Sequence, residues 1–454
     1  MSTTKTSTMK FIFFSLLGFI LFLVPFSVNG ESKIFISHFV DFIYTLYDPF
    51  LIFTEIMASI VILGSILFQF YSAKSAFLNE LFKASPLNFF TRVTGSLLYL
   101  SVINQWFEGT AFGNLILDPN TGGTMAGDGG LLTTLYITFF IGVLILPLIT
   151  HFGAVEYIGT LCAPVVERVF KVPGYSAVDA IASFVGDGTI GLVVTDQQYQ
   201  RGYYSKREAY VIATSFSIVG IAFASAVAEE LGFGQIFSIF YASIAIAVIL
   251  IALVNARMHH PKFPNTYYNN QEPKKHLKPT HLSTHQHAVD LAVKQADSVS
   301  FKEVFLSTAK SILNIYIGFI PVIMLVGTVA LILAEKTAIF NIIALPFVPL
   351  YHLLGFSNEV AKEMAPATIV GFADMYLPAL FIKSSASEAA RFFIGVLSFT
   401  QLIFMSETGM VLLKTKIGLN FWDVIKVFVF RTILSIPIVL GITYVVSLTG
   451  LISW

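Results

Sequence analysis

The sequence predicts an all-α, polytopic membrane protein with about nine transmembrane helices and two re-entrant hairpins in an inverted repeat. Three observations carry this. Charged residues are 12% and apolar residues 56%, with a mean hydropathy of +0.78; soluble globular chains carry about twice that charge. Several windows without a charge, among them 11–30, 129–150, 209–228, 231–256, 311–334 and 432–454, are long enough to cross ~30 Å of hydrocarbon. Finally, landmarks recur at a fixed offset. Gly174-Tyr175-Ser176 returns as Gly355-Phe356-Ser357, 181 residues later. Ser217 returns as Ser398 and Ser225 as Ser406 at the same offset, and Pro164 with Pro346 and Glu208 with Glu388 within one residue of it. Repeats inside a membrane chain mark secondary transporters, whose sites lie where the repeats meet.

Spans are expected near 11–29, 51–72, 92–107 and 130–150, then 208–229, 233–256, 311–334, 388–412 and 424–450. The first follows Lys5 and Lys10. Its apolar run is longer than a usual signal-peptide core, and Ser27-Val28-Asn29-Gly30 is a poor cleavage site, so it reads as a retained span. With the N-terminus inside, most of the 27 Lys and Arg fall on the cytoplasmic side, as the positive-inside rule requires. The third span is short, between Arg92 and Glu108, and needs Arg92 to snorkel.

Two segments are too polar to cross as single helices. Residues 177–200 hold Asp179, Asp187 and Asp196 with Gly186, Gly188 and Gly191; residues 359–384 hold Glu359, Lys362, Glu363, Asp374 and Lys383 with Pro366, Gly371 and Pro378. Irregular backbone is tolerated at membrane depth only where protein or a cavity surrounds it, so both read as re-entrant hairpins. Three crossings separate them, an odd number, which inverts the second repeat relative to the first. Before each hairpin lies a stretch expected along the interface, 152–172 and 337–356. The second carries no charge, and a full crossing there would cancel the inversion.

The expected division is N-terminal helices over 1–128, a first repeat over 129–256, a cytoplasmic linker over 257–310 and a second repeat over 311–454. The linker holds six of the nine histidines, His259, His260, His276, His281, His285 and His287. Its polar composition reads as solvated chain; a metal-sensing tract is the alternative. Residues 284–296 are the one part with helical promise.

A charge at membrane depth is expensive, about 2.5–3.5 kcal/mol on insertion scales, and marks function. The expected solute-binding residues are Ser183, Asp187, Gly188 and Thr189 of the first hairpin and Thr368 and Asp374 of the second. Asp187 and Asp374 have a blander reading as caps of half-helices, and Asp196, nearer the cytoplasm, reads as a cap. The expected ion-coupling residues are Ser225, Ser406 and Glu407. Glu407, within Ser406-Glu407-Thr408-Gly409, interrupts an apolar span, where unwound carbonyls and a carboxylate suit Na+ or a proton; the alternative is a buried pair with Arg431. Glu229-Glu230 reads as a solvated helix end.

Other classes find no support. No Walker A lysine motif is present, net charge is zero, giving no sign of a nucleic-acid partner, and the single Cys162 excludes an intrachain disulfide or a Cys-rich metal site. No Ser/His/Asp or zinc constellation suggests an enzyme, and no cofactor is expected.

The run Val172-Pro173-Gly174-Tyr175, Asp179-Ala180-Ile181-Ala182-Ser183-Phe184-Val185-Gly186-Asp187-Gly188 and Gly202-Tyr203-Tyr204-Ser205-Lys206-Arg207-Glu208-Ala209, with Lys10-Phe11, Val24-Pro25 and Asn29-Gly30 before it, resembles the YjiH family of bacterial inner-membrane proteins with a nucleoside-recognition (Gate) domain. The resemblance covers nearly the whole chain. It implies solute transport by a hairpin and broken-helix core, with a small polar solute, Na+ or H+, and the bilayer as partners. "Nucleoside" rests there on fold analogy alone. The rival reading is a Gate-like membrane protein with a structural or signalling role.

Overall fold

A computed structural model describes residues 2–28, 30–127, 130–186, 188–216, 220–274 and 283–454. The expected residues Asp187 and Ser217 lie outside them. Among the described residues the regular structure is helical, except for a short antiparallel strand pair, Phe26–Val28 with Glu31–Lys33.

Among the described residues, six helices are long and apolar enough to cross a membrane: Lys5–Leu23, Phe50–Phe70, Gly122–Thr150, Gly234–Arg257, Phe301–Leu333 and Phe421–Leu448. They fall on six of the nine expected spans. The other three are built differently. The span near 92–107 is an 18-residue helix, Pro86–Ile103, started by Ser85 and Pro86. The spans near 208–229 and 388–412 are each broken in the middle.

The chain divides into two compact units, 1–34 with 145–304 and 347–454, and 35–144 with 305–346. In the smaller unit, the helices Tyr47–Phe70, Pro86–Ile103 and Ile320–Lys336 pack together. Gly95 sets their approach: a Cβ there would sit 1.8 Å from the Pro321 carbonyl oxygen, so no larger residue fits. The Tyr136 and Tyr316 rings meet edge to face at 4.7 Å, and Lys336 pairs with Asp118 at 2.9 Å.

The larger unit contains the repeat. Its first half runs through a helix Ala154–Phe170, a hairpin of Ser176–Val185 and Gly188–Arg201, a broken helix of Lys206–Ser215 and Ile221–Glu230, and the long helix Phe237–Arg257. Its second half runs through Phe347–Leu353, a hairpin of Asn358–Val370 and Leu377–Ile382, a broken helix of Glu388–Gln401 and Thr408–Lys414, and the long helix Phe421–Leu448. The element order is the same in both. Serine caps mark the same junction: Ser205 accepts from the Glu208 amide and Ser387 from the Ala390 amide, starting the two broken helices. No hairpin helix reaches the ~20 residues that a crossing takes. Residues 339–353 are likewise two short helices, Ile339–Ala344 and Phe347–Leu353, flanking Pro346, and neither is a span.

The helix expected over 284–296 forms as a capped helix, Thr284–Ser298. It is not the surface helix expected, because its Ala288, Ala292 and Ala296 are fully buried. Alanines four apart form a narrow stripe against Ala154–Phe170 and Ser2–Leu23. Gly153, at φ +101°, lets the Ala292 carbonyl approach where a Cβ would lie 2.4 Å away. Counting only large apolar residues hid this face. His276 and His281 lie outside the described residues. Among those described, no three His, Cys, Asp or Glu side chains come together as a metal site.

Candidate functional site

The second broken helix separates at residues 402–407. Leu402 adopts a left-handed φ of +65°, a conformation that a branched side chain takes only when its surroundings enforce it. The Thr408 hydroxyl ties up the opened backbone, donating to the Leu402 carbonyl at 3.0 Å and accepting from the Phe404 amide at 3.3 Å.

The turn of the second hairpin lies alongside this unwound stretch. The Met405 amide donates to the Phe372 carbonyl at 2.8 Å and the Ser406 amide to Ala373 at 3.0 Å. That pairing places Asp374. One carboxylate oxygen accepts from the Tyr376 amide at 2.8 Å, closing an Asx turn, and the other from the Ser406 hydroxyl at 2.6 Å. Asp374 is buried, and Glu407 follows Ser406 as the residue before the second half-helix. Asp374 therefore caps the hairpin turn, as its blander reading expects, and also binds the unwound stretch. Thr368, also buried, uses its hydroxyl locally: it donates to the Met364 carbonyl at 2.9 Å and meets the Tyr351 hydroxyl at 2.5 Å.

Deeper in the unit, the first halves of both broken helices end beside one side chain. Arg431, on the long helix Phe421–Leu448, is fully buried. Its Nε donates to the Thr400 carbonyl at 2.9 Å and its Nη1 to the Thr214 carbonyl at 2.7 Å. Both carbonyls belong to last helical turns, where acceptors lack a partner within the helix. Thus Arg431 binds backbone, and among the described residues no ion pair joins it to Glu407. Gln401 donates to the Thr368 carbonyl at 2.9 Å and the Thr432 hydroxyl at 3.0 Å, joining hairpin, broken helix and long helix. Asn255 bonds Thr214 and Ser215 through its side-chain amide. Arg431 was visible in the sequence only as a rival partner for Glu407, whereas Gln401, Asn255 and Thr214 were missed. Polar residues inside the apolar spans were the available signal.

The first hairpin is held differently. Ser183 is buried against Gly191, where a Cβ would come within 1.5 Å of its Oγ. Tyr204 donates to the Asp179 carboxylate at 2.6 Å, both buried, so Tyr204 anchors this carboxylate. Gly188 opens the second hairpin helix and Thr189 follows it; the residue between Gly186 and Gly188 is not described. Asp196, inside the helix Gly188–Arg201, accepts from the Gln200 side chain and from the Lys416 amide, each at 2.7 Å, so it caps no helix and instead ties the first hairpin to the chain that follows Thr408–Lys414. Ser225, the offset partner of Ser406, lies inside a half-helix and donates to the Ala222 carbonyl at 2.7 Å. The structure does not make the two serines equivalent. Glu230 is not a solvated helix end either. It accepts from Lys383 at 2.7 Å with its side chain 9% exposed, tying the first broken helix to the second hairpin.

These elements define a multi-pass α-helical membrane protein with paired hairpins and paired broken helices. Residues 132–234 match the family described as Gate, nucleoside recognition, a range that takes in the first hairpin and first broken helix. The uncharacterized protein BpOF4_10220 of Alkalihalophilus pseudofirmus is 37% identical over 451 residues, covering 97% of this chain and 95% of that one. The chain belongs to the family of that protein. Among solved structures, CNTnw in an inward-facing substrate-bound state is similar with 12% identity and a TM-score of 0.42, covering 97% of this chain and 96% of that one. A variant of CNTnw in an intermediate state reaches 14% and 0.44, covering 98% of each. Both likenesses are too distant to assign a function.

Proposed function

We propose that this protein moves a small polar solute of the nucleoside class across the bacterial inner membrane by ion-coupled secondary transport, with H+ or Na+ as the driving ion. The observation that supports it most is the Asp374 carboxylate, buried at the turn of a hairpin and bonded to Ser406 in the unwound middle of a broken helix. Discontinuous helices and hairpin tips are where secondary transporters bind their substrates and ions. The Gate match over 132–234 supports the nucleoside class.

In this reading 129–256 and 311–454 are the two inverted repeats, and the linker joins them in the cytoplasm. Solute contacts fall to Ser183, Asp187, Gly188, Thr189, Thr368 and Asp374, and ion coupling to Ser406 and Glu407 with Ser225. The test is uptake of labelled nucleosides by proteoliposomes under an imposed H+ or Na+ gradient. Accumulation that collapses with the gradient is expected. A folded protein that accumulates nothing from a broad solute panel would favour the structural or signalling role.

A further inference from the structure

In secondary transporters, the C-terminal ends of half-helices and the carbonyls released by unwinding are where a coupling cation sits. Here two such ends come together. Thr214 lies in the last turn of Lys206–Ser215 and Thr400 in the last turn of Glu388–Gln401. The Phe404 amide, four residues beyond Thr400, bonds the Thr408 hydroxyl, so it leaves the Thr400 carbonyl without its helical donor. Each helix C-terminus carries about half a negative charge, so the two together call for about one cation.

The chain supplies that cation itself. The Arg431 guanidinium reaches both carbonyls, at 2.9 and 2.7 Å, and is fully buried. Its third nitrogen, Nη2, is buried without a hydrogen-bond partner among the described residues. No carboxylate forms an ion pair with it there. A charge so placed is held by helix ends rather than by a counter-ion.

We infer that Arg431 is a tethered cation that permanently fills the cation position where the two broken helices end, so that no Na+ binds there. The crossing is locked in its charged state through every step, and ion coupling is left to the carboxylates around Ser406. That last consequence rests on the transport reading; the occupancy of the crossing does not.

The experiment is thermal unfolding of the purified, detergent-solubilised protein, which involves no transport step. Any rise in the wild-type melting temperature when Na+ replaces choline, as an ion site around Ser406 would give, should persist in Arg431→Ala. Arg431→Ala should melt several degrees lower, and low-millimolar methylguanidinium should restore much of the loss, while uncharged methylurea at the same concentration should not. Should Arg431→Ala not fold, Arg431→Lys against Arg431→Met decides, because both are unbranched chains, Met one atom shorter, and differ in charge: the Lys variant should fold and the Met variant fail. Equal behaviour of Lys and Met, or rescue by methylurea as large as by methylguanidinium, would overturn the inference. So would Na+ raising the wild-type melting temperature with the rise lost in Arg431→Ala. Absent uptake in proteoliposomes would count against the proposed function and leave the tethered cation standing.

Discussion

At the residue scale, Asp374 is the group on which the proposed function turns. Asparagine there keeps the side-chain volume and the Asx turn to the Tyr376 amide, and it offers an amide to the Ser406 oxygen. Only the charge is lost. Asp374→Asn is therefore expected to fold and insert normally, with transport abolished, read by uptake beside a melting curve. Ser406→Ala acts on the same bond from the other side. Hydrogen bonds to charged groups contribute about 1.5–3 kcal/mol, so denaturant unfolding of Ser406→Ala should register a loss in that range. Asp374 and Ser406 were both legible, because a carboxylate and small polar residues inside an apolar stretch have few structural uses. Arg431 was legible as a charge but not as a cap. Which carbonyls a guanidinium meets depends on where two distant helices stop, and no local pattern encodes that.

At the element scale, glycines set how closely the hairpins pack. A methyl group on Gly191 would collide with Ser183 across the first hairpin, and one on Gly371 would come within 2.2 Å of the Gln401 side-chain oxygen. Gly191→Ala should destabilise by about 1–3 kcal/mol, the usual effect of overpacking. Trimming the opposing residue in Gly191→Ala with Ser183→Gly should recover part of it, which a double-mutant cycle in denaturant measures. No recovery would mean that the two helices are not apposed as described. The hairpins were legible from Gly, Pro and charge at membrane depth, and the second broken helix from Glu407; 208–229 read as a plain span. The register between repeats was not legible. The first half of the second broken helix is 14 residues long against ten in the first, about one extra turn. A constant offset therefore places Ser225 opposite Ser406, although one sits in a helix and the other in an unwound stretch. The break at Leu402 also carries no glycine to announce it. Tertiary packing, not local propensity, holds that residue at positive φ.

At the scale of the whole molecule, the two halves of the repeat are tied by Lys383 and Glu230. Lys383→Met leaves a nearly buried carboxylate without its cation, a larger loss than deleting an exposed pair. Lys383→Met with Glu230→Leu should be more stable than Lys383→Met alone. The inverted arrangement has its own test, in a background where Cys162 is replaced by serine. A cysteine beside Pro366 should label from outside the cell and one beside Asp179 from the cytoplasm; labelling of both from one face would contradict the inversion. The six long helices among the described residues followed from composition, and so did a helix near 284–296; the burial of that helix escaped because alanine is a weak apolar signal. The most direct measurement of the central claim is uptake of a labelled nucleoside by wild type and Asp374→Asn proteoliposomes, prepared together with matched amounts of folded protein. The account predicts gradient-driven accumulation by the wild type and background uptake by the variant; equal accumulation by both would contradict it.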